Sequence, residues 1–284
     1  MRINTNVASL QAQESAISIN NKLSSSLEKL STSLRINKAS DDGAGLAIAD
    51  KLRTQAHAIN QSISNGNSAI SLTQIADKAM GEQSRILNTV KIKLIQSATD
   101  STSAEGKKSV EKDINILLNQ LNGIASQTSY AGTSLLQAGS SDTNARSSLI
   151  FQVGENAADT ISTNSGIQSN TSGLGLSNLK TEVANSSVIT ANLARTYTSA
   201  IDSAIDKLNS WRAEYGSTQI QLESAVRNQM TQKTNILNAE SVIRDVDYAQ
   251  ESTNFNKQNI IAQAGTYAIT QANAIQQNVS RLLQ

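Results

Sequence analysis

Residues 48–70 read IADKLRTQAHAINQSISNGNSAI and carry a small or aliphatic side chain at every third or fourth position. This spacing is the period of one face of an α-helix, and it continues to residue 94 without a proline. We therefore predict a single helix over residues 44–98, which at about 1.5 Å per residue spans about 75 Å. The positions that define the face are Ile48, Leu52, Ala56, Ile59, Ile63, Gly66 and Ile70.

The composition also favours long helices. The 284-residue chain has no proline, although average usage of about 5% predicts roughly 14. Proline in a helix interior costs about 3 kcal/mol, so its absence is typical of uninterrupted helices. The hydrophobic content of 38% and the aromatic content of 3% are low for one compact core. We therefore expect an elongated protein that completes its core by association.

Several classes of function are excluded by the same numbers. The chain has no cysteine and one histidine, which excludes disulfides, thiolate nucleophiles, cysteine-ligated metals and a multi-histidine metal site within one chain. The net charge of +1 gives no basic excess for binding nucleic acid. The chain contains no run of 18 apolar residues, so the sequence predicts no membrane-spanning helix. The N-terminus lacks the apolar stretch of a cleavable signal peptide, which taken alone predicts a cytoplasmic protein.

Both ends of the chain show heptad spacing of aliphatic residues. We predict a helix over residues 1–36 and a last helix from residue 247 to the end, and such helices can pair antiparallel. The stripe of the last helix is mainly small or polar, so the pair is weak alone and should order when many copies associate. This stripe comprises Ile261, Ala264, Ala268, Gln271, Ile275, Asn278 and Leu282.

Two stretches of the chain lack the helical periodicity of their neighbours and contain glycine. A glycine-containing break over residues 37–45 precedes the long helix, and helical periodicity stops over residues 129–180. Two β-prone runs in that stretch flank Gly154-Glu155-Asn156 and predict one β-hairpin. The runs are residues 149–153 and 160–163, and two further helices are predicted, one ending near residue 128 and one over residues 187–240.

No constellation of residues points to catalysis. Asp41 and Asp42 are adjacent carboxylates that could suggest a metal site. A role in helix capping explains this pair better, because Ser40 or Asp41 is placed to cap the helix that follows. Asp245 and Asp247 lie beside Arg244, which favours a break between helices or a surface ion pair over acid–base chemistry. We predict no enzymatic activity, no metal and no cofactor.

The motifs at both ends closely resemble those of bacterial flagellin. The match runs in order along nearly the whole chain and is therefore specific. It is carried by Met1-Arg2-Ile3-Asn4-Thr5-Asn6-Val7, Ser33-Leu34-Arg35-Ile36-Asn37, residues 39–45, Gln127-Thr128-Ser129-Tyr130-Ala131-Gly132, Phe151-Gln152-Val153-Gly154, Gly173-Leu174-Gly175-Leu176, residues 243–249 and residues 263–283.

The resemblance implies a mainly α fold of long antiparallel, coiled-coil-like rods with a small β-hairpin region and paired terminal helices. Residues 1–40 and 249–284 would form the inner tube of a filament, and residues 41–248, with the hairpin region at about 129–180, the outer wall. Almost no variable insert follows Leu176, so we expect a short flagellin and a smooth, thin filament. The residues expected to pack the inner tube are Ile3, Val7, Leu10, Leu23, Leu27, Leu30, Leu34, Ile261, Ala264, Ala268, Ile275, Val279 and Leu282.

The resemblance also implies partners and a location. Flagellins self-assemble into the extracellular flagellar filament for swimming motility and contact hook-associated and cap proteins. They leave the cell unfolded through the flagellar export apparatus without a cleaved signal peptide, and a chaperone holds the C-terminal helix. Absence of cysteine and proline suits this transit, since neither mispaired thiols nor slow prolyl isomerisation can arise. The Ser/Thr-rich stretch 140–190 fits either O-glycosylation or a solvated loop.

One segment departs from the family pattern. In many flagellins the equivalent of residues 88–96 reads like QRVRELAVQ and contacts the vertebrate Toll-like flagellin receptor, whereas here it reads NTVKIKLIQ. An arginine fork and a carboxylate are lost, and lysine replaces the fork poorly. We predict weak or absent receptor binding. The outer-rod residues concerned are Thr89, Val90, Lys91, Ile92, Lys93, Leu94 and Ile95.

Three alternatives remain at this point. A hook–filament junction protein shares the terminal pattern but occurs in few copies. A flagellin with a metalloprotease insert is disfavoured because the chain has no HExxH motif and no insert. An intracellular coiled-coil scaffold is disfavoured by the ordered motifs at both ends.

Overall fold

A computed structural model describes residues 5–99, 101–185 and 189–282. The elements of this part of the chain are α1 (Val7–Thr32), α2 (Gly43–Ser97), α3 (Ala104–Gln127), β1 (Ser129–Tyr130), β2 (Thr133–Ser134), β3 (Ile150–Gln152), β4 (Thr160–Ser162), α4 (Ser177–Ala184), α5 (Ala191–Arg244) and α6 (Tyr248–Leu282). The predicted mainly α fold with a small β-hairpin region is confirmed.

The long helix predicted over residues 44–98 is confirmed as α2. The predicted hairpin is also confirmed, because β3 and β4 pair antiparallel with Phe151 opposite Ile161. The first helix is shorter than the predicted 1–36. Ser33 adopts a left-handed conformation with φ of +60° and ends α1, so that residues 34–36 leave the helix.

Two elements in the glycine-containing middle were not predicted. Strands β1 and β2 form a second antiparallel hairpin closed by Ala131 and Gly132, which both have positive φ, as a type I′ turn requires. The usual Asn-Gly signal for this turn is absent because alanine occupies the first position. The short helix α4 follows, with Leu179 and Val183 buried.

The chain divides into two compact units. The terminal unit comprises Met1–Ala56 and Thr234–Gln284, and the central unit comprises His57–Lys233. This division reflects packing within one chain, so the predicted inner-tube and outer-wall domains stay predictions.

The central unit has a continuous apolar core. Helices α2, α3 and α5 contribute fully buried side chains that include Leu87, Ile114 and Leu208, and Trp211 is also buried. Two cross-helix ion pairs flank this core, from Lys91 to Asp202 and from Arg212 to Asp77. The central unit is therefore stabilised by its own side chains.

The terminal unit has almost no core of its own. Among its described residues, only three hydrophobic side chains are buried, Ile36, Ala49 and Ala56, and two of them are alanines. Burial of a large aliphatic side chain contributes about 1.5–3 kcal/mol, so this unit gains little from internal burial. Its stability must come from its helix pairing, its caps or contacts outside the chain.

Candidate functional site: an exposed face on the terminal helices

Side-chain caps define the helix ends in the terminal unit. Asp42 accepts hydrogen bonds from the amides of Ala44 and Gly45 and so caps α2, a role that the sequence assigns to Ser40 or Asp41. Asp41 instead accepts the amides of Lys38 and Asn37, and these hydrogen bonds lower the pKa of its carboxyl. Asp41 and Asp42 thus order a turn.

The second acidic cluster lies where α5 ends and α6 begins. Asp247 accepts hydrogen bonds from the amides of Ala249 and Gln250, at 3.0 and 3.1 Å, and caps α6. Asp245 accepts a hydrogen bond from the Ser241 hydroxyl. No group of three histidine, cysteine or acidic side chains within the described ranges is placed to hold a metal ion.

Helices α1 and α6 pack against each other along much of their length. The Asn6 side chain donates to the Ala272 carbonyl at 3.1 Å, and the Ser26 hydroxyl donates to Gln258 Oε1 at 3.2 Å. As residue numbers rise along α1 they fall along α6, so the helices run antiparallel, as the sequence predicted.

Half-buried side chains mark the paired faces, and they recur with heptad spacing. These side chains are mostly small or polar, which permits close approach of the two helices but buries little apolar surface. They are Ser9, Ala12, Ala16, Ile19, Leu23, Ser26 and Leu30 on α1, with Ser26 fully buried, and Phe255, Gln258, Ala262, Gly265, Ile269 and Ala272 on α6.

This pairing corrects the predicted phase of α6. Sequence reasoning placed the stripe at Ile261, Ala264 and Ala268, but the paired face lies one residue further on, and these three side chains are exposed. The periodicity was correct, but a pattern of small and polar residues does not distinguish two adjacent stripes. The predicted stripe therefore lies beside the face that contacts α1 and outside it.

The larger aliphatic residues are consequently left exposed. Leu10 is 55% exposed and Ile17 58% exposed on α1, and Ile261 and Ile275 are exposed on α6. Such an array is unusual for a unit without an apolar core and marks an interaction surface. We call this set the open face: Val7, Leu10, Ile17 and Leu27 on α1 with Ile260, Ile261, Tyr267 and Ile275 on α6.

The predicted inner-tube residues divide between the two faces. Leu23, Leu30 and Leu34 are half-buried within the chain. Ile3 and the side chains of Val279 and Leu282 lie outside the described residues. The others are exposed, namely Val7, Leu10, Leu27, Ile261, Ala264, Ala268 and Ile275. Sequence reasoning did not include Ile17, Ile260 and Tyr267, although their size and helical position were visible in the sequence.

The divergent segment of α2 is amphipathic in the structure. Val90 and Leu94 are fully buried in the central core, while Thr89, Ile92 and Ile95 are exposed. The two lysines of the segment form cross-helix ion pairs, Lys91 with Asp202 and Lys93 with Asp113 at 2.8 Å. The outward surface of this segment therefore presents two aliphatic side chains, Ile92 and Ile95, among the polar Asn88, Thr89 and Gln96.

The geometry defines a class of protein: an α-helical subunit whose terminal helices pair weakly and present an open apolar face. Within the described ranges, no helix is both long enough and apolar enough to cross a bilayer.

Comparisons with known proteins identify the family. Residues 3–141 match the bacterial flagellin N-terminal helical region, and residues 198–283 match the bacterial flagellin C-terminal helical region. A flagellin of Bacillus subtilis is 34% identical over the whole of both chains, and the flagellar filament 33 kDa core protein of Treponema phagedenis is 31% identical, also over the whole of both. The chain belongs to the flagellin family, and as a flagellin it is a structural subunit of the extracellular bacterial flagellar filament.

Two further matches refine this picture. Flagellin B of Helicobacter pylori is 50% identical, but the match covers 48% of this chain and only 26% of that longer one. A solved structure of a putative flagellar hook-associated protein from Vibrio parahaemolyticus has a TM-score of 0.61, covering 72% of this chain and 99% of that chain at 13% identity. This second likeness concerns the fold alone.

Proposed function

We propose that the filament is held together by the open face of the terminal helices, which packs against other copies of the chain. The observation that carries this proposal is the imbalance in the terminal unit. Three hydrophobic side chains are buried there, whereas twelve large ones are exposed among the described residues. Twelve exposed hydrophobic side chains are a poor arrangement for a free monomer, but they suit a subunit whose neighbours cover them.

The weak α1–α6 pair supports the same mechanism. Its paired face is mostly small and polar, so it defines a register without much apolar burial. Contacts with several neighbours would add burial on the open face, where each aliphatic side chain can contribute up to about 1.5–3 kcal/mol. Many such contacts per subunit make a polymer stable although each free end is weak.

Deletion of residues 261–284 tests this mechanism. We expect the truncated chain to form no filaments in electron micrographs, because most of the α6 open face is lost. The central unit should remain folded, since its core lies entirely within His57–Lys233. Emission from Trp211, the only tryptophan, reports on that core. Normal filaments from the truncated chain would contradict the proposal.

We further propose that the chain is solely structural and has no enzymatic activity. Three of the four acidic residues that could suggest chemistry, Asp41, Asp42 and Asp247, accept hydrogen bonds from backbone amides as helix caps or turn anchors. The fourth, Asp245, accepts a hydrogen bond from the Ser241 hydroxyl. Hydrolysis of a panel of peptide and ester substrates at rates above the buffer blank would contradict this.

The remaining partners follow from family membership. We propose export through the flagellar apparatus without cleavage of a signal peptide, a chaperone on the C-terminal helix, and contact with hook-associated and cap proteins at the filament ends. The apolar open face of α6 supports chaperone binding, because an exported chain must be kept from aggregating. Mass spectrometry of secreted subunits, with the N-terminal residues retained, would support export without cleavage.

Weak binding to the vertebrate Toll-like flagellin receptor is proposed for residues 88–96. The ion pairs of Lys91 and Lys93 commit both cations to the chain's own carboxylates, and Ile92 presents an apolar side chain where the family carries a carboxylate. A reporter-cell assay should therefore show little activation. Potency equal to that of a receptor-active flagellin would contradict this proposal.

A further inference from the structure

The junction between α5 and α6 lacks the residues that normally interrupt a helix. Helix α5 ends at Arg244 and α6 begins at Tyr248, yet Asp245-Val246-Asp247 contains neither glycine nor proline. The nearest glycines along the chain are Gly216 and Gly265. Asp247 favours a break as the cap of α6, but aspartate inside a helix costs only about 0.7 kcal/mol. A continuous helix through the junction is therefore a close competitor.

A segment distant in sequence lies on this junction. Leu34 and Asp245 form an antiparallel β-bridge. The Arg35 amide donates to the Arg244 carbonyl at 2.6 Å, and the Val246 amide donates to the Ser33 carbonyl at 3.2 Å. We call residues 33–36 the bridge segment. It joins the chain after α1 to the chain after α5.

Arg35 contacts the carbonyls that a continuous helix would need. In an α-helix the amides of residues 246, 247 and 248 would bond to the carbonyls of residues 242, 243 and 244. The Arg35 guanidinium donates to the first two of these carbonyls, Val242 and Ile243, at 3.4 and 2.5 Å. Its backbone amide donates to the third, that of Arg244. One residue thus bonds all three acceptors.

The positive charge of Arg35 also stabilises the C-terminal end of α5. The last carbonyls of a helix lack partners and carry the negative end of the helix dipole, which a cation stabilises. Both hydrogen bonds come from one guanidinium nitrogen, Nη2, whose two N–H groups are fixed in the guanidinium plane, whereas the three N–H donors of a lysine rotate on a flexible stem and are not held towards both carbonyls. Since a carbonyl can accept two hydrogen bonds, Arg35 biases the chain towards the break and does not strictly forbid a continuous helix.

We propose that Arg35 is the positioning residue that ends α5 and directs α6 onto α1. The inference rests on the proposed function, because α6 must lie on α1 to present the open face. Without the Arg35 side chain, the junction becomes helical and α5 and α6 merge. Helix α6 then loses its place against α1.

The absence of native cysteine permits a direct test in filaments, where labelled subunits are polymerised with an excess of the unchanged, unlabelled chain. Spin labels on Ser24→Cys and Lys257→Cys, both exposed and close to the Ser26–Gln258 hydrogen bond, report the α1–α6 distance. The ¹³Cα chemical shifts of residues 245–247 report whether the junction is helical. In Arg35→Ala we expect helical shifts at the junction and a loss of the short label distance. Arg35→Lys should lie between Arg35→Ala and the unchanged chain.

The control is Arg85→Ala, which removes an exposed arginine whose ion pair is with Glu82 on its own helix. It should leave both readouts unchanged, and unchanged Trp211 emission in every variant would show that the central unit is folded. Unchanged junction shifts in Arg35→Ala would overturn the proposal, even if the label distance were lost, because Arg35 would then not control the break. Both readouts are taken on mixed filaments, which the excess of unchanged chain forms in every case, so failure of the variant to assemble by itself would bear on the proposed function and not on this inference.

Discussion

Replacing Leu10 and Ile17 together with serine should weaken filament assembly strongly without unfolding the subunit. Both side chains lie on the open face of α1 and are 55% and 58% exposed. Full burial of such a side chain contributes about 1.5–3 kcal/mol, so covering the exposed half contributes about 0.8–1.5 kcal/mol each. The double substitution should therefore cost about 1.5–3 kcal/mol per subunit added.

This cost can be measured as a critical concentration. Since 1.4 kcal/mol corresponds to a factor of ten, the concentration of free monomer at equilibrium with filaments should rise about 10- to 150-fold. Sedimentation of polymerised protein, followed by assay of the supernatant, gives this value. The monomer should keep its far-ultraviolet circular dichroism, because serine is only slightly poorer than leucine or isoleucine in a helix.

A matched control uses two exposed polar residues of the same helix. Glu14→Ser with Asn21→Ser changes the same number of side chains but removes no aliphatic surface. Its critical concentration should stay within a few-fold of that of the unchanged chain. An equal rise in both double variants, or no rise in Leu10→Ser/Ile17→Ser, would refute burial of the open face as the source of assembly energy.

Three further outcomes concern the folded monomer. A Cβ at Gly173 would lie 1.9 Å from a backbone carbonyl oxygen, so Gly173→Ala should lower the free energy of unfolding by several kcal/mol. A Cβ at Gly123, on α3, would lie in open space, so Gly123→Ala should raise the free energy of unfolding by about 0.5–1 kcal/mol. Urea titrations measure both changes, and equal effects of the two substitutions would contradict this prediction. Ser33→Gly should stabilise the chain by relieving a left-handed conformation, and Ser33→Val should destabilise it, as a rise and a fall in melting temperature would show. Burial raises the pKa of Tyr215 to about 12. Because the unfolded state then ionises first, the free energy of unfolding should keep its full Tyr215 contribution below pH 10 and fall by up to about 3 kcal/mol between pH 10 and 12. Tyr215→Phe should reduce this fall, and the same pH profile in both proteins would contradict the prediction.

The helices were predictable because periodicity and the absence of proline act locally. Helix α2 was predicted to within one residue at each end, since its apolar face repeats over more than 40 residues. The β3–β4 hairpin was predictable from two β-prone runs around a turn. By contrast, the α1 end at Ser33 depends on a conformation that serine rarely adopts, and local preference gives no sign of it.

The open face could be predicted only in part. Heptad spacing predicted antiparallel terminal helices, but the choice between adjacent stripes of α6 depends on how closely α1 approaches at Ala262 and Gly265. The role of Arg35 could not be predicted, because it arises from contacts between residues about 200 positions apart. Such contacts are properties of the assembled fold and have no local sequence signal.

A reconstruction of the native filament by electron cryomicroscopy would show directly whether the open face holds the subunits together. We expect Leu10, Ile17, Ile261 and Ile275, all exposed in the single chain, to be buried against neighbouring subunits. A filament in which these side chains face solvent, with subunits joined only through the central unit, would contradict it.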